Sequence, residues 1–212
     1  MAIRKPGRLR RRLKASARRR PTRNLAERLV AAAMALLAII PPQALSLRSV
    51  AKAAGVSEAA PYHHFADKRA LEAAVMAEGY RQLAAMLEAS AAQGPATGPD
   101  SLNAMLRAYV AFALSQPNLF RLMRREEPAE GLDANPDPDL AAAQERAFSA
   151  FCRALAGRLG GEPDPDDARL AWSAMRGAVA TLVVAGTTAP DAIVRFLEAA
   201  LPAGVGALNE RA

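Results

Sequence analysis

The sequence predicts an all-α chain of about nine helices, with a small N-terminal three-helix unit followed by a larger helical domain. Three observations carry this. Alanine is abundant while only 5% of residues are aromatic, and almost no stretch shows the two-residue alternation of a strand. Apolar residues recur instead at helical spacing, as in Leu25, Leu29, Ala33, Leu36 and Ile40. Proline and glycine groups punctuate these stretches: Pro41 and Pro42, the run QGPATGP after Ala92, and an acidic, proline-bearing segment ending near Pro138. At 212 residues the chain is one or two domains, long enough to bury a real core.

Thr22 is placed to cap a first helix running to Ile40, where the two prolines end it. A second helix starts at the cap Ser46. Ala51 and Ala54 are small enough for a close helix crossing, and Gly55 ends the helix because glycine enters the left-handed region at no steric cost. Ser57 follows at once as the predicted cap of a third helix, Glu58 to His64, with Phe65 as its core anchor. Asp67 caps a long fourth helix to about Ala92. Further helices are expected at Ser101–Gln116, Asn118–Arg125 and Asp139–Leu159. An eighth starts at Asp166 or Asp167 and ends near Gly186, and a last one runs from Pro190 to Leu201.

The stretch from Leu47 to Leu71 is helix-turn-helix grammar, a device for reading duplex DNA. Arg48, at the start of the first motif helix, matches a position that faces DNA in the family this stretch resembles, and that resemblance makes it the best candidate for a bidentate contact to guanine, with a phosphate contact as its alternative. Tyr62, His64 and Lys68 are assigned to phosphates, Ser57 to a phosphate or its own cap, and His63 to a base. Glu58 can accept from a cytosine amino group. Ala59, with Ala60, lets the backbone approach the groove, and Pro61 lies so early in the helix that it sacrifices at most about one backbone bond.

These residues resemble the DNA-binding domain of the TetR family of transcriptional regulators. The matching runs are Ala51 to Ser57 (A-x-x-x-G-V-S), Tyr62 to Phe65 (Y-H-H-F) and Asp67 to Leu71 (D-K-x-x-L). The run AAPY from Ala59, the run SQPNLFRLM from Ser115, and the segment Trp172 to Gly177 are similar to a subgroup whose regulatory domain carries a W-x-x-x-H-G signature. Arg176 stands where that subgroup has histidine. The resemblance implies three parts: a basic arm (1–21), a helix-turn-helix domain (22–72) and an effector-binding and dimerisation domain (73–212). It also implies a homodimer through the last two helices, whose apolar faces include Leu170, Ala174, Val179 and Leu182 on one and Ile193, Phe196, Leu197 and Leu201 on the other. Such a dimer reads a roughly palindromic operator.

An effector cavity is implied as well, with Tyr109, Trp172 and Met175 as the expected contacts because they combine apolar area with polar or polarisable atoms. The commoner fate of such residues is plain core. Arg176 is a candidate partner for an anionic effector, or for an acidic neighbour. Cys152, the single cysteine, excludes an internal disulfide, and its spacing from Phe148 and Leu155 reads as core rather than as a redox sensor.

Charge divides the chain sharply. The first 23 residues hold 11 Lys or Arg and no acid; 28 less 11 leaves 17 basic against 21 acidic groups in the remainder, a net of −4. The arm either neutralises phosphates beside the main site or is a solvated tail that raises nonspecific affinity. A secretory signal is the competing reading, because basic residues precede the apolar run Leu29 to Ile40 and PPQALS could pass for a cleavage site. Glu27 and the helical spacing oppose it, and cleavage would remove the helix on which the motif packs. No run of about eighteen apolar residues occurs, so no membrane-spanning helix is expected, and the single cysteine suits a reducing cytoplasm, the expected location.

An enzyme is disfavoured: two adjacent histidines, one cysteine, no glycine-rich phosphate loop and no nucleophile elbow are poor catalytic material. The acids of EPDPDD, Glu162 to Asp167, read as a helix cap and solvated loop rather than a metal site, and no cofactor is expected. The expected function is therefore a ligand-responsive regulator, most simply a repressor released from its operator by a small, largely apolar effector. The alternative is a constitutive or architectural nucleic-acid binder that relies on the arm.

Overall fold

The computed structural model describes residues 25–93, 99–124, 137–185 and 189–209, with 93, 99, 182–185 and 202–209 described by backbone alone. Eight α-helices follow one another: α1 (Leu25–Leu37), α2 (Leu47–Ala54), α3 (Lys68–Gln93), α4 (Pro99–Ser115), α5 (Pro117–Met123), α6 (Pro138–Leu159), α7 (Pro165–Ala185) and α8 (Pro190–Asn209). Two short 3-10 turns, Pro42–Ala44 and Ala60–His63, complete the order, and no strand occurs among the described residues. The predicted all-α class is correct, with eight α-helices against about nine expected. Thr22 and the basic arm lie outside the described residues.

The missing helix is the third. From Ser57 to His64 the backbone bonds run Ala60 N–H to Ser57 C=O (3.0 Å), Tyr62 N–H to Ala59 C=O (3.2 Å) and His64 N–H to Pro61 C=O (2.9 Å), a three-residue step, and at the end Phe65 N–H reaches the same Pro61 carbonyl (2.9 Å). Pro61 has no N–H to give to the Ser57 carbonyl, so the α pattern cannot start there and the tighter pattern takes over. Ser57 therefore contributes its carbonyl rather than a side-chain cap, and the turn has no side-chain cap at all.

Proline also corrects the helix starts. The five helices α4 to α8 each begin at a proline, one or two residues before most of the expected positions. Proline at the first helical position loses only a donor that would be orphaned anyway and brings a preset φ. Asp137 caps α6, its Oδ1 accepting from Asp139 N–H at 2.9 Å and Leu140 N–H at 3.2 Å, and Asp164 caps α7 in the same way. Ser101 is not a cap: it is buried inside α4, and its hydroxyl donates to the Ala154 carbonyl of α6 at 3.2 Å.

The long helix α3 is the axis of the molecule, packing on α1 at one end and on α4, α5 and α6 along its length. Residues 72 and 73, the boundary read from sequence, fall inside it. Buried apolar side chains form one continuous cluster from Leu29 to Leu201. Leu29, Ala33 and Leu37 of α1 belong to it, so the apolar run that resembles a secretory signal is part of the packed core. Gly79 lets α5 lie close against α3: a Cβ there would meet Met123 Sδ at 2.8 Å and Leu119 Cδ1 at 3.2 Å. From that position α5 reaches back to α1, where Asn118 Nδ2 donates to the Leu37 carbonyl at 3.0 Å.

Candidate functional site

The motif face is built on α2. Ser46 Oγ accepts from the Ser49 N–H at 3.1 Å while Ser49 Oγ accepts from the Ser46 N–H at 3.0 Å, a reciprocal box that fixes where the helix starts. Leu47, Val50 and Ala51 are thereby buried and Arg48 is exposed. At the other end Gly55 takes φ 67, and its N–H and that of Val56 close on the carbonyls of Lys52 and Ala51. Arg28 of α1 donates to the Ala54 carbonyl at 3.0 Å, tying the helix end to the first helix.

The 3-10 turn is then held from beneath. Pro61 and Phe65 are both buried, while Ser57, Glu58, Ala59, Tyr62, His63 and His64 are all exposed. Phe65 is the anchor the sequence suggests. Pro61, which looks like an oddity in the sequence, is the second anchor: its ring serves the core and its missing N–H sets the turn type. Asp67 Oδ1 accepts from the Ala70 N–H at 2.9 Å and starts α3 as expected.

Two of the singled-out residues meet. Arg48 Nε donates to Glu58 Oε1 at 2.8 Å, with side chains 79% and 64% exposed, so a cation on α2 and an anion on the turn form one polar unit on the open face. Lys68 is turned differently. Its ammonium donates to the carbonyls of Pro42 and Gln43, both at 3.3 Å, and lies 3.5 Å from Glu72 Oε1. In the free protein it braces the turn that joins α1 to α2.

The residues expected to sense an effector lie together in the second half of the chain. Tyr109 and Met175 are buried and Trp172 is 8% exposed. The Tyr109 ring stands edge-on to Trp172 at 5.7 Å and to Phe120 at 5.8 Å, and Trp172 also meets Phe151 at 5.2 Å. Arg176 enters this cluster from α7, half-buried. It donates from Nη2 to Tyr80 Oη at 3.1 Å and lies 6.0 Å from the centre of the Trp172 ring. Burial pushes the Tyr109 phenol well above its ordinary range, against the pull of the neighbouring Arg176 and Arg124 guanidiniums.

Tyr80 on α3 is the residue that sequence reasoning missed. It is buried, bonds both Arg176 and the Met123 carbonyl (3.4 Å), and joins the long helix to the cluster. A groove of about 710 Å³ lies elsewhere, between α1 and α3 beside the start of α6, and none of Tyr109, Trp172 and Met175 lines it. Cys152 is half-buried, and burial, then Glu145 and Glu162, push its thiol up, away from a reactive thiolate. Among the described residues no group of three or more His, Cys, Asp or Glu side chains is placed to hold a metal, and no helix is long and apolar enough to cross a membrane.

The faces assigned to the last two helices divide in two. Val179, Ile193, Leu197 and Leu201 are buried within the chain, whereas Leu170 and Phe196 are each 58% exposed and Ala174 is exposed. The side chain of Leu182 lies outside the described residues.

No functionally curated protein matches the chain in sequence. Among solved structures it is similar to a protein of unknown function from Rhodococcus sp. RHA1, 28% identical over 88% of this chain and 98% of that one, with a TM-score of 0.68. A TetR transcriptional regulator from the same organism shares the fold at 18% identity, 84% and 94% coverage and a TM-score of 0.63. So does the TetR-like regulator LfrR from Mycobacterium smegmatis, solved with proflavine, at 20% identity, 85% and 96% coverage and a TM-score of 0.59. Residues 29–75 match the family profile of bacterial regulatory proteins of the tetR family, and residues 102–203 match that of the tetracyclin repressor-like C-terminal domain. With one profile over the motif and the other over the aromatic cluster, the chain belongs to the TetR family of DNA-binding transcriptional regulators.

Proposed function

We propose that the chain is a cytoplasmic, ligand-responsive repressor that binds a roughly palindromic operator as a homodimer and leaves it when a small molecule binds. The observation that carries this is the open face over α2 and the 3-10 turn, where Arg48, Glu58, Tyr62 and His63 are exposed while Pro61 and Phe65 are locked below. Arg48 reads guanine with its free guanidinium edge, Glu58 holds it in place, and Tyr62 and His64 contact phosphates. His63 reaches a base, and the Ser57 and Ala59 backbone lies against the strand. A phosphate contact from Lys68 requires exchange of its bonds to Pro42 and Gln43.

Exposed Leu170, Ala174 and Phe196 supply an apolar patch on α7 and α8 for a second copy. The proflavine held by LfrR supports an effector for this chain too. An effector that favours one spacing of the paired motifs shifts that population and changes operator affinity. Two links run between the regions: α3, and the α5 contact from Asn118 to Leu37.

Selecting genomic fragments bound by the purified, intact chain tests the reading. Enrichment of one palindromic element that survives deletion of residues 1–21 is the expected result. Binding without sequence preference, lost with the arm, would establish the architectural alternative.

A further inference from the structure

We propose that the groove between α1 and α3 is the seat of this chain's own basic arm when no DNA is bound, so that an acidic groove and the duplex compete for one set of cations. The seat itself goes beyond the regulator reading. Only the competition rests on it.

The groove combines an apolar lining with acids. Val30 and Met34 of α1 and Ala74 of α3 line it, and so do Glu27, Asp137 and Asp139, all three of them exposed. Glu78 is a fourth acid there. Arg81, the one arginine among the lining residues described, gives its Nε to Glu78 at 3.0 Å, so the acids outnumber the cations. His64 of the motif turn lines the groove as well, which places it at the border of the face assigned to DNA.

Such a lining suits a basic segment with closely spaced apolar side chains, and the arm has both. Leu9 and Leu13 stand four apart in the sequence, and Arg8, Arg10, Arg11, Arg12 and Lys14 surround them. The arm also ends in the right place. It lies outside the described residues, but it runs directly into Leu25, and the next residues of α1 already line the groove. Ten residues separate Lys14 from Leu25, enough to span up to about 35 Å, whereas the whole of α1 is about 20 Å long. Exposed ion pairs are individually weak. A short tether, however, supplies an effective concentration of about millimolar, so a weak contact fills the groove. The arm of a second copy has no such advantage.

The chain has four lysines, Lys5 and Lys14 in the arm and Lys52 and Lys68 elsewhere, so carbodiimide coupling of lysine amines to touching carboxylates reports where the arm rests. The native, full-length protein is coupled without DNA, and peptide mass spectrometry locates the joints. The expected joints run from Lys14 or Lys5 to Glu27, Glu78, Asp137 or Asp139, and they stay within one chain when isotopically heavy and light protein are mixed. Their yield should fall several-fold in the double variant Leu9→Ser, Leu13→Ser, which leaves every charge in place, and again when saturating duplex is added. Arm joints that spread over exposed acids elsewhere, such as Glu145 and Glu162, overturn the proposal, as do joints between chains or none from the arm. A yield unchanged in the double variant does so too, because charge alone would then account for it. Joints that persist while a mobility shift shows the duplex bound overturn the competition. A chain that shifts no duplex sinks the regulator reading and leaves the DNA-free joints standing as support for the seat.

Discussion

Two arginines in this chain sit in opposite environments, and the contrast separates the two tasks proposed for it. Arg48 is 79% exposed and pairs with an exposed carboxylate 2.8 Å away. Arg176 is half-buried, bonds a buried tyrosine at 3.1 Å and faces an indole ring. An exposed ion pair contributes little to stability, because water competes for both partners and salt screens them. Arg48 can therefore exchange Glu58 for a base edge at small cost. A guanidinium inside a bundle cannot release its partners so cheaply, and the helices supplying them are held in fixed relation. One cation is placed where its partner can be exchanged, and the other is fixed among its neighbours.

The contrast can be broken at several points, starting with the largest effect. Trp172→Ala removes the ring that meets Tyr109, Phe148 and Phe151. Loss of a buried aromatic costs about 3–5 kcal/mol, so thermal unfolding followed by circular dichroism should show a large drop in Tm. A Tm unchanged within error would mean that the aromatic cluster is not a packed unit.

At the motif end the leading structural device is Gly55, at φ 67 with open space around it. Gly55→Ala should cost about 1–2 kcal/mol, because a Cβ in the left-handed region approaches the following carbonyl. Denaturant titration checks this, with a lowered midpoint and an unchanged m-value expected.

Glu58→Ala is predicted to leave Tm within experimental error while raising affinity for nonspecific duplex several-fold, since it removes a negative charge from the face proposed to meet phosphates. Discrimination between operator and nonspecific DNA should narrow at the same time. Duplex titrations at two salt concentrations measure both; a falling nonspecific affinity would show that Glu58 itself contacts DNA.

The smallest effect is at Glu88 on α3, whose carboxylate takes two bonds from Arg146 of α6, at 2.6 and 3.0 Å. The Arg146 bond holds its pKa below the ordinary 4.5, against a partial opposing effect of burial. A depressed folded-state pKa contributes stability that is present at neutral pH and is lost as pH falls from about 4.5 through the folded value. Glu88→Gln should thus change Tm little at pH 7, and Tm of the native chain should fall more steeply than that of the variant as the medium is acidified toward pH 3. Parallel acid limbs would remove Glu88 from the account.

The parts of the fold legible in sequence are those governed by short-range chemistry. Ser46 and Gly55 bound α2 through bonds made within a few residues, and Asp67 starts α3 in the same way. What escaped was decided by the particular donor or by the far side of the chain. Pro61 turned an expected α-helix into a 3-10 turn because a single missing N–H falls where the first α bond would form. The apolar pattern of α7 and α8 reads alike for residues buried within the chain, such as Val179 and Ile193, and for residues left open, such as Leu170 and Phe196. Periodicity gives a helix its faces without saying what covers them.

The candidate sites follow the same division. Arg48, Tyr62 and His63 could be picked from a local motif, and all are exposed. Lys68 has the right position in the motif, yet its ammonium braces the turn at Pro42 and Gln43, a partnership 26 and 25 residues distant. The link from Arg176 to Tyr80 spans 96 residues, so nothing near Tyr80 in the sequence marks it. A buried tyrosine on a helix joining two functional regions is the one signal that could have found it.

The account's central claim is that the exchangeable arginine reads sequence and contributes nothing to folding. Selecting bound duplexes from a random pool, in parallel with the native chain and Arg48→Ala, tests it most directly. The prediction is a palindromic motif that keeps its spacing in the variant but becomes degenerate at one position in each half-site, at a cost of about 1–3 kcal/mol of discrimination and no change in Tm. Identical motifs from the two proteins, or a motif lost together with the fold, would contradict it.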